Sequence, residues 1–213
     1  MSNKIIRGII KDIFGQLKSY MESDIDDEIC IDLPDSDEYY ITEKKYGFVF
    51  DFLLELYLIK SDISTYQIDA DAPGSIDDDI VRVIIKINPK NYKQYLCEIY
   101  YNLIYTLHHE YEHILQVMSD YNRVKYSTKY NYRGDSLSRL LKYVEIEPQV
   151  RGYYIQSKKE RKPFDLIINT HLDKMISTGQ IKFKNNGRKE ILVNLLINEA
   201  KNMRLPIKLK NLP

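Results

Sequence analysis

Three of the four histidines in this chain fall within ten residues, in "LHHEYEHILQ", Leu107 to Gln116. Within it His109, Glu110 and His113 satisfy the pattern H-E-x-x-H. On a helix, residues four apart stand one turn above each other, so His109 and His113 can aim imidazole nitrogens at one ion. Glu110 lies about 100° round from His109 and flanks that face, the position of a base acting on a water that zinc would bring to a pKa of about 7. The bland alternative is a solvated polar face that happens to carry two histidines.

A helical wheel weighs the two. Leu96, Tyr100, Leu103, Leu107, Tyr111, Ile114 and Met118 gather on one side, and His109 and His113 fall nearly opposite with Asn102, Thr106 and Gln116. A core histidine would sit on the apolar stripe, and these do not. His108 and Glu112 point away from the shared face and read as surface or supporting residues.

A catalytic zinc takes three protein ligands and keeps one position open. His171 in "NTHLDK" could come round, but "YVEIEPQVRGYY", Tyr143 to Tyr154, offers two carboxylates about 30 residues after His113. Glu145 and Glu147 diverge by about 200° on a helix, so only one of them can reach the ion. Two imidazoles and a carboxylate favour Zn2+ among the divalent ions.

The elements that must position these groups are also legible. Residues 3–22 carry Ile6, Ile9, Ile10, Ile13, Phe14, Leu17 and Met21 at helical spacing, an amphipathic helix that docks on a core, with a membrane-surface helix as the alternative. "EICIDL" and "YYIT" read as short strands. "YGFVFDFLLELYLIK" keeps strict period two and reads as a long one. "TYQIDA" and "IVRVIIKINP" follow around the loop "DAPGSIDDD". Pro89 ends the last strand, a helix runs from about residue 91 to 118, and the remainder is helical in period. Sheet first and helices after is an α+β order: an N-terminal helix and mostly antiparallel twisted sheet over residues 1–90, an active-site helix and a C-terminal helical part over 91–213, all in one domain.

"HEYEH" on a helix entered from a strand, followed by "EIEPQVRG" on a second helix, resembles the zincin metallopeptidases of the gluzincin-like type. The resemblance covers roughly residues 80–155. It implies a zincin-like fold, hydrolysis of peptide bonds through a metal-activated water, and an edge strand before the active-site helix along which an extended peptide substrate lies. In many small zincin-like proteins the second motif reads Glu-x-Glu-Ala-x-Ala and the glutamate before the first alanine binds zinc, which here is Glu147. Pro148 and Val150 depart from that pattern, and proline is tolerated only near a helix start. The choice between Glu145 and Glu147 therefore stays open. The expected site is His109, His113 and Glu147 on zinc, with Glu110 as the catalytic base.

Composition narrows the rest. The 213 residues are 44% hydrophobic and 29% charged, the balance of a folded domain. No uninterrupted apolar run of about 18 to 20 residues exists and charges break the N-terminal stretch, so a cytoplasmic protein of a cell or of a virus-infected host is expected, without membrane insertion or secretion. Cys30 and Cys97 lack paired ligand spacing and read as reduced packing residues. "DIDDE" and "DADAPGSIDDD" lack the EF-hand pattern and read as solvated loops. Net charge is zero, yet residues 1–80 hold 7 Lys and Arg against 19 Asp and Glu, a net of −12, which leaves +12 on the remainder. That asymmetry, a solvated surface in most chains, also suits a non-catalytic binding or assembly protein on a zincin-like fold that docks to a partner. No basic and aromatic interleaving marks a nucleic-acid motif, so that partner is not expected.

Overall fold

The computed structural model describes residues 3–25, 29–30, 39–45, 48–71, 80–119, 140, 143–183 and 186–210. They form two compact units, residues 1–121 and 122–213. The first holds helix α1 (Asn3–Met21), strands β1 (Ile29–Cys30), β2 (Tyr39–Lys45), β3 (Phe48–Lys60), β4 (Tyr66–Asp71) and β5 (Ile80–Ile87), and helix α2 (Tyr92–Ser119). The second holds α3 (Tyr143–Glu160), α4 (Phe164–Ser177) and α5 (Asn186–Asn202). The chain is thus α+β, and the helix carrying the histidines belongs to the unit that contains the sheet.

The sheet runs β1-β3-β5-β4, with β2 also paired to β3. Three pairings are antiparallel and one, β3 with β5, is parallel, registering Leu56 with Val83 and Leu58 with Ile85. Period two decides the faces. Leu54, Leu56, Leu58, Val81, Val83, Ile85 and Ile87 are buried, each fully seated Leu, Ile or Val contributing about 1.5–3 kcal/mol. The opposite face is mixed and carries two ion pairs, the Arg82 guanidinium 2.7 Å from Glu55 and the Lys86 ammonium 3.3 Å from Asp69. Ile31 to Leu33 and the turn after them lie outside the described residues.

Helix α1 buries Ile6, Ile9, Ile10, Ile13 and Leu17, the face its spacing predicts. The segment that follows it is held by Lys60, whose ammonium donates to the Ser23 and Ile25 carbonyls, each at 2.6 Å. Pro89 stops β5, and the turn into α2 is fastened to the β3–β4 connection. Asn88 Nδ2 donates to the Ile63 carbonyl at 3.0 Å, and Asn91 Nδ2 to that of Ser64 at 3.1 Å. Those two side chains fix where α2 begins.

Helix α2 is covered from two sides. Phe14 of α1 meets the Tyr100 ring edge-on at 6.1 Å, and Tyr66 of β4 packs on Tyr95 at 5.8 Å. Its buried residues are Tyr92, Ile99, Leu103, Ile104, Leu107, Glu110, Ile114 and Leu115, a wider belt than the single stripe the wheel predicts. Cys97 falls outside that belt and is exposed, so it is not the packing residue expected of it.

In the second unit α3, α4 and α5 pack on one another around Val150, Tyr153, Phe164, Ile168, Leu172, Leu192 and Leu196. The segment after α5 returns to the start of α4, where the Phe164 N–H donates to the Lys208 carbonyl at 2.7 Å and the Lys210 N–H to Asp165 Oδ1 at 2.8 Å. Most of the helical stretch expected between 136 and 142 lies outside the described residues. No described helix is long and apolar enough to cross a membrane.

Candidate metal centre

His109 and His113 stand on successive turns of α2 with their Nε2 atoms 3.1 Å apart. Their rings meet edge to face, centroids 4.7 Å apart at 81°. Two nitrogens each about 2.0–2.1 Å from a tetrahedral zinc are separated by about 3.3 Å, so the pair has the spacing that a shared ion demands. Without an ion the same distance lets one imidazole N–H donate to the other's lone pair, a proton that metal binding would displace. The His109 ring also leans on Tyr105, one turn earlier, at 5.6 Å.

Glu110 Oε1 lies 4.0 Å from His109 Nε2, and the residue is only 8% exposed. It is the one carboxylate among the buried polar residues described, the others being Gln149, Gln156 and Ser157. Taking a carboxylate out of water is costly, and such a residue persists where its charge is used. The wheel places Glu110 beside the histidine face; its burial within the belt of Leu107 and Ile114 is what the wheel misses. His108 and Glu112 are half-buried neighbours on the same helix.

A second feature escaped the motif. The Tyr66 hydroxyl of β4 accepts from Asn102 Nδ2 at 2.5 Å and donates to Glu98 at 3.4 Å. Asn102 lies on the histidine side of α2, two turns before His109, so this contact lays β4 against the helix face that also carries the two histidines. Of the two strands expected to border a cleft, β4 is the terminal strand of the sheet among the described residues, and β5 is interior.

In the second unit, Glu145 is in the first turn of α3 and half-buried. Glu147, the ligand implied by the zincin resemblance, is also half-buried, and its Oε1 lies 3.5 Å from the Arg151 guanidinium one turn on. Pro148, inside α3, cannot donate to the carbonyl of Val144, so this part of the helix lacks one of its hydrogen bonds. Gln149, 2% exposed, reaches back to the Leu140 carbonyl at 3.0 Å and steadies that entry. His171, the other imidazole weighed as a ligand, stands edge-on to the buried Tyr153 ring at 5.4 Å within this helical unit.

No protein-family model, curated protein or solved structure matches the chain.

Proposed function

We propose that this protein is a zinc-dependent metallopeptidase of zincin-like type, in which His109, His113 and a glutamate of α3 bind the ion and Glu110 is the general base. The observation that carries the reading is the 3.1 Å spacing of the two Nε2 atoms beside a buried carboxylate. Imidazole pairs at that spacing suit zinc, and an acceptor four ångströms from one of them suits base chemistry.

As the third ligand Glu145 is the better candidate. It stands in the first turn of α3, ahead of Pro148. The Glu147 carboxylate is turned to Arg151. A zinc ion at this site would lower the pKa of a water to about 7 and polarise an amide carbonyl. Glu110 accepts a proton from the attacking water and returns it to the departing amine nitrogen as the C–N bond breaks. The peptide or protein substrate lies along β4, where backbone groups at a sheet edge can pair with an extended chain.

Two measurements test this. Metal analysis should find near-stoichiometric zinc in the purified protein and little in the His109→Ala, His113→Ala variant; an absence of zinc from both removes the proposal. Cleavage of a peptide library should fall about 10²–10⁴-fold in Glu110→Gln while zinc is retained. Equal cleavage by both proteins would mean no peptidase depends on this glutamate. Zinc without cleavage in either would leave the binding or assembly reading.

A further inference from the structure

The second unit carries 20 Lys and Arg against 8 Asp and Glu, a net of +12. At one end of it, the fold gathers cations that are scattered in sequence. The last turn of α3 and the α3–α4 connection bring Lys158, Arg161 and Lys162, and the segment leaving α5 brings Arg204, Lys208 and Lys210, all exposed. The bonds from Phe164 N–H to the Lys208 carbonyl and from Lys210 N–H to Asp165 lay these two stretches side by side.

The two acidic groups among them are engaged within the chain. The Glu160 side chain is 8% exposed, taking a hydrogen bond from Gln156 and pairing with Lys162, both at 2.7 Å. Asp165 holds the Lys210 amide. The outward charge is therefore positive.

The backbone adds a second observation. Arg161 and Arg204 have φ of 56° and 55° and are the described non-glycine residues with positive φ. Each stands just past a helix end, where the next N–H closes the last turn, Lys162 to the Ser157 carbonyl at 3.1 Å and Leu205 to that of Ala200 at 3.0 Å. Glycine is the residue such a cap favours, because a Cβ is strained there. Arginine at both caps puts two cations on this end at a cost in backbone strain.

We propose that this end of the second unit binds the phosphate backbone of nucleic acid without reading its sequence. Four of the six cations are lysines, a residue depleted from protein–protein interfaces, and clustered lysine and arginine is what backbone phosphates take. The sequence carries no nucleic-acid motif because the patch exists only after chain return brings 204–210 beside 158–165. The inference is independent of the peptidase reading, since no metal ligand takes part.

The test is fluorescence anisotropy of a labelled 30-nucleotide oligo-dT with the full chain between 50 and 200 mM NaCl. With about five phosphates contacted, log affinity should fall against log salt with a slope of about −3 to −4. The Arg161→Gly, Arg204→Gly variant should melt at the same or a higher temperature, yet bind several-fold more weakly with a slope shallower by about 1.4. A control pair on the first unit, Lys11→Gln with Lys90→Gln, should bind as the parent. Absence of oligonucleotide binding at 50 mM salt would overturn the proposal. So would an unchanged slope in the glycine variant, an equal loss in the control, or full displacement of the oligonucleotide by equimolar poly-glutamate, the last marking a site for an acidic protein.

Discussion

Glu145 and Glu147 sit two positions apart on one helix and have different tasks under the proposed chemistry. If Glu145 is a ligand, Glu145→Ala should weaken zinc binding at least about 100-fold, a larger loss than the 10–100-fold typical of a supporting residue. Glu147→Ala should leave zinc affinity within about twofold and cost only the few tenths of a kcal/mol of a half-exposed i,i+4 pair. Competition with a zinc chelator measures both, and the opposite ranking would return the role to Glu147. The meeting of the two imidazoles was legible from residue types alone, because His109 and His113 need only helical spacing to come together. The burial of Glu110 was not, since what covers a helix comes from other parts of the chain, which periodicity within that helix does not contain.

At the scale of elements, α1, β3, β4, β5 and α2 lie within a residue or two of where their hydrophobic periods predict. The parallel pairing of β3 with β5 was not legible; alternation reports faces, and neighbours within a sheet leave no mark on it. Nor was the clasp joining α1 to α2, where the Tyr92 hydroxyl donates to Glu22 at 2.9 Å and the Lys93 ammonium stands 3.1 Å from the same carboxylate. The hydrogen bond from Tyr92, then that from Lys93, hold the Glu22 carboxyl below its ordinary value. Burial, then the bond to Glu22, push the Tyr92 phenol up, and the bond to Glu22 raises Lys93. A lowered carboxyl stabilises the fold above its unfolded value and loses that as pH falls through the folded one. A raised phenol or ammonium stabilises below its unfolded value and loses that as pH climbs through the folded one. Melting temperature against pH should therefore fall in acid and again in alkali, with Glu22→Gln flattening the acid limb and Tyr92→Phe the alkaline limb. Unchanged limbs in both variants would show the clasp to be idle.

For the whole molecule, each unit has its own core, and charge divides between them as −12 and +12. An ion that binds the folded chain and not the unfolded one stabilises it by mass action, by about 4 kcal/mol when free zinc is 1,000 times its Kd. Stripping zinc with a chelator should lower the melting temperature, and restoring it should recover the loss; identical melting with and without zinc would count against a specific site. The sheet order has a consequence during synthesis. Strand β4 follows β3 in the chain but pairs only with β5 among the described residues, so a growing polypeptide exposes Tyr66–Asp71 before its partner has emerged. A strand-forming segment left waiting is an invitation to pair with another chain. Asp69 and Asp71 lie within it, and Asp77, Asp78 and Asp79 follow before β5. Under this view the run that reads as a solvated loop is a gatekeeper against aggregation. Asp77→Asn, Asp78→Asn, Asp79→Asn should scatter light on refolding at concentrations where the parent stays clear, with little change in equilibrium stability; equal clarity would leave the acidic run without that duty.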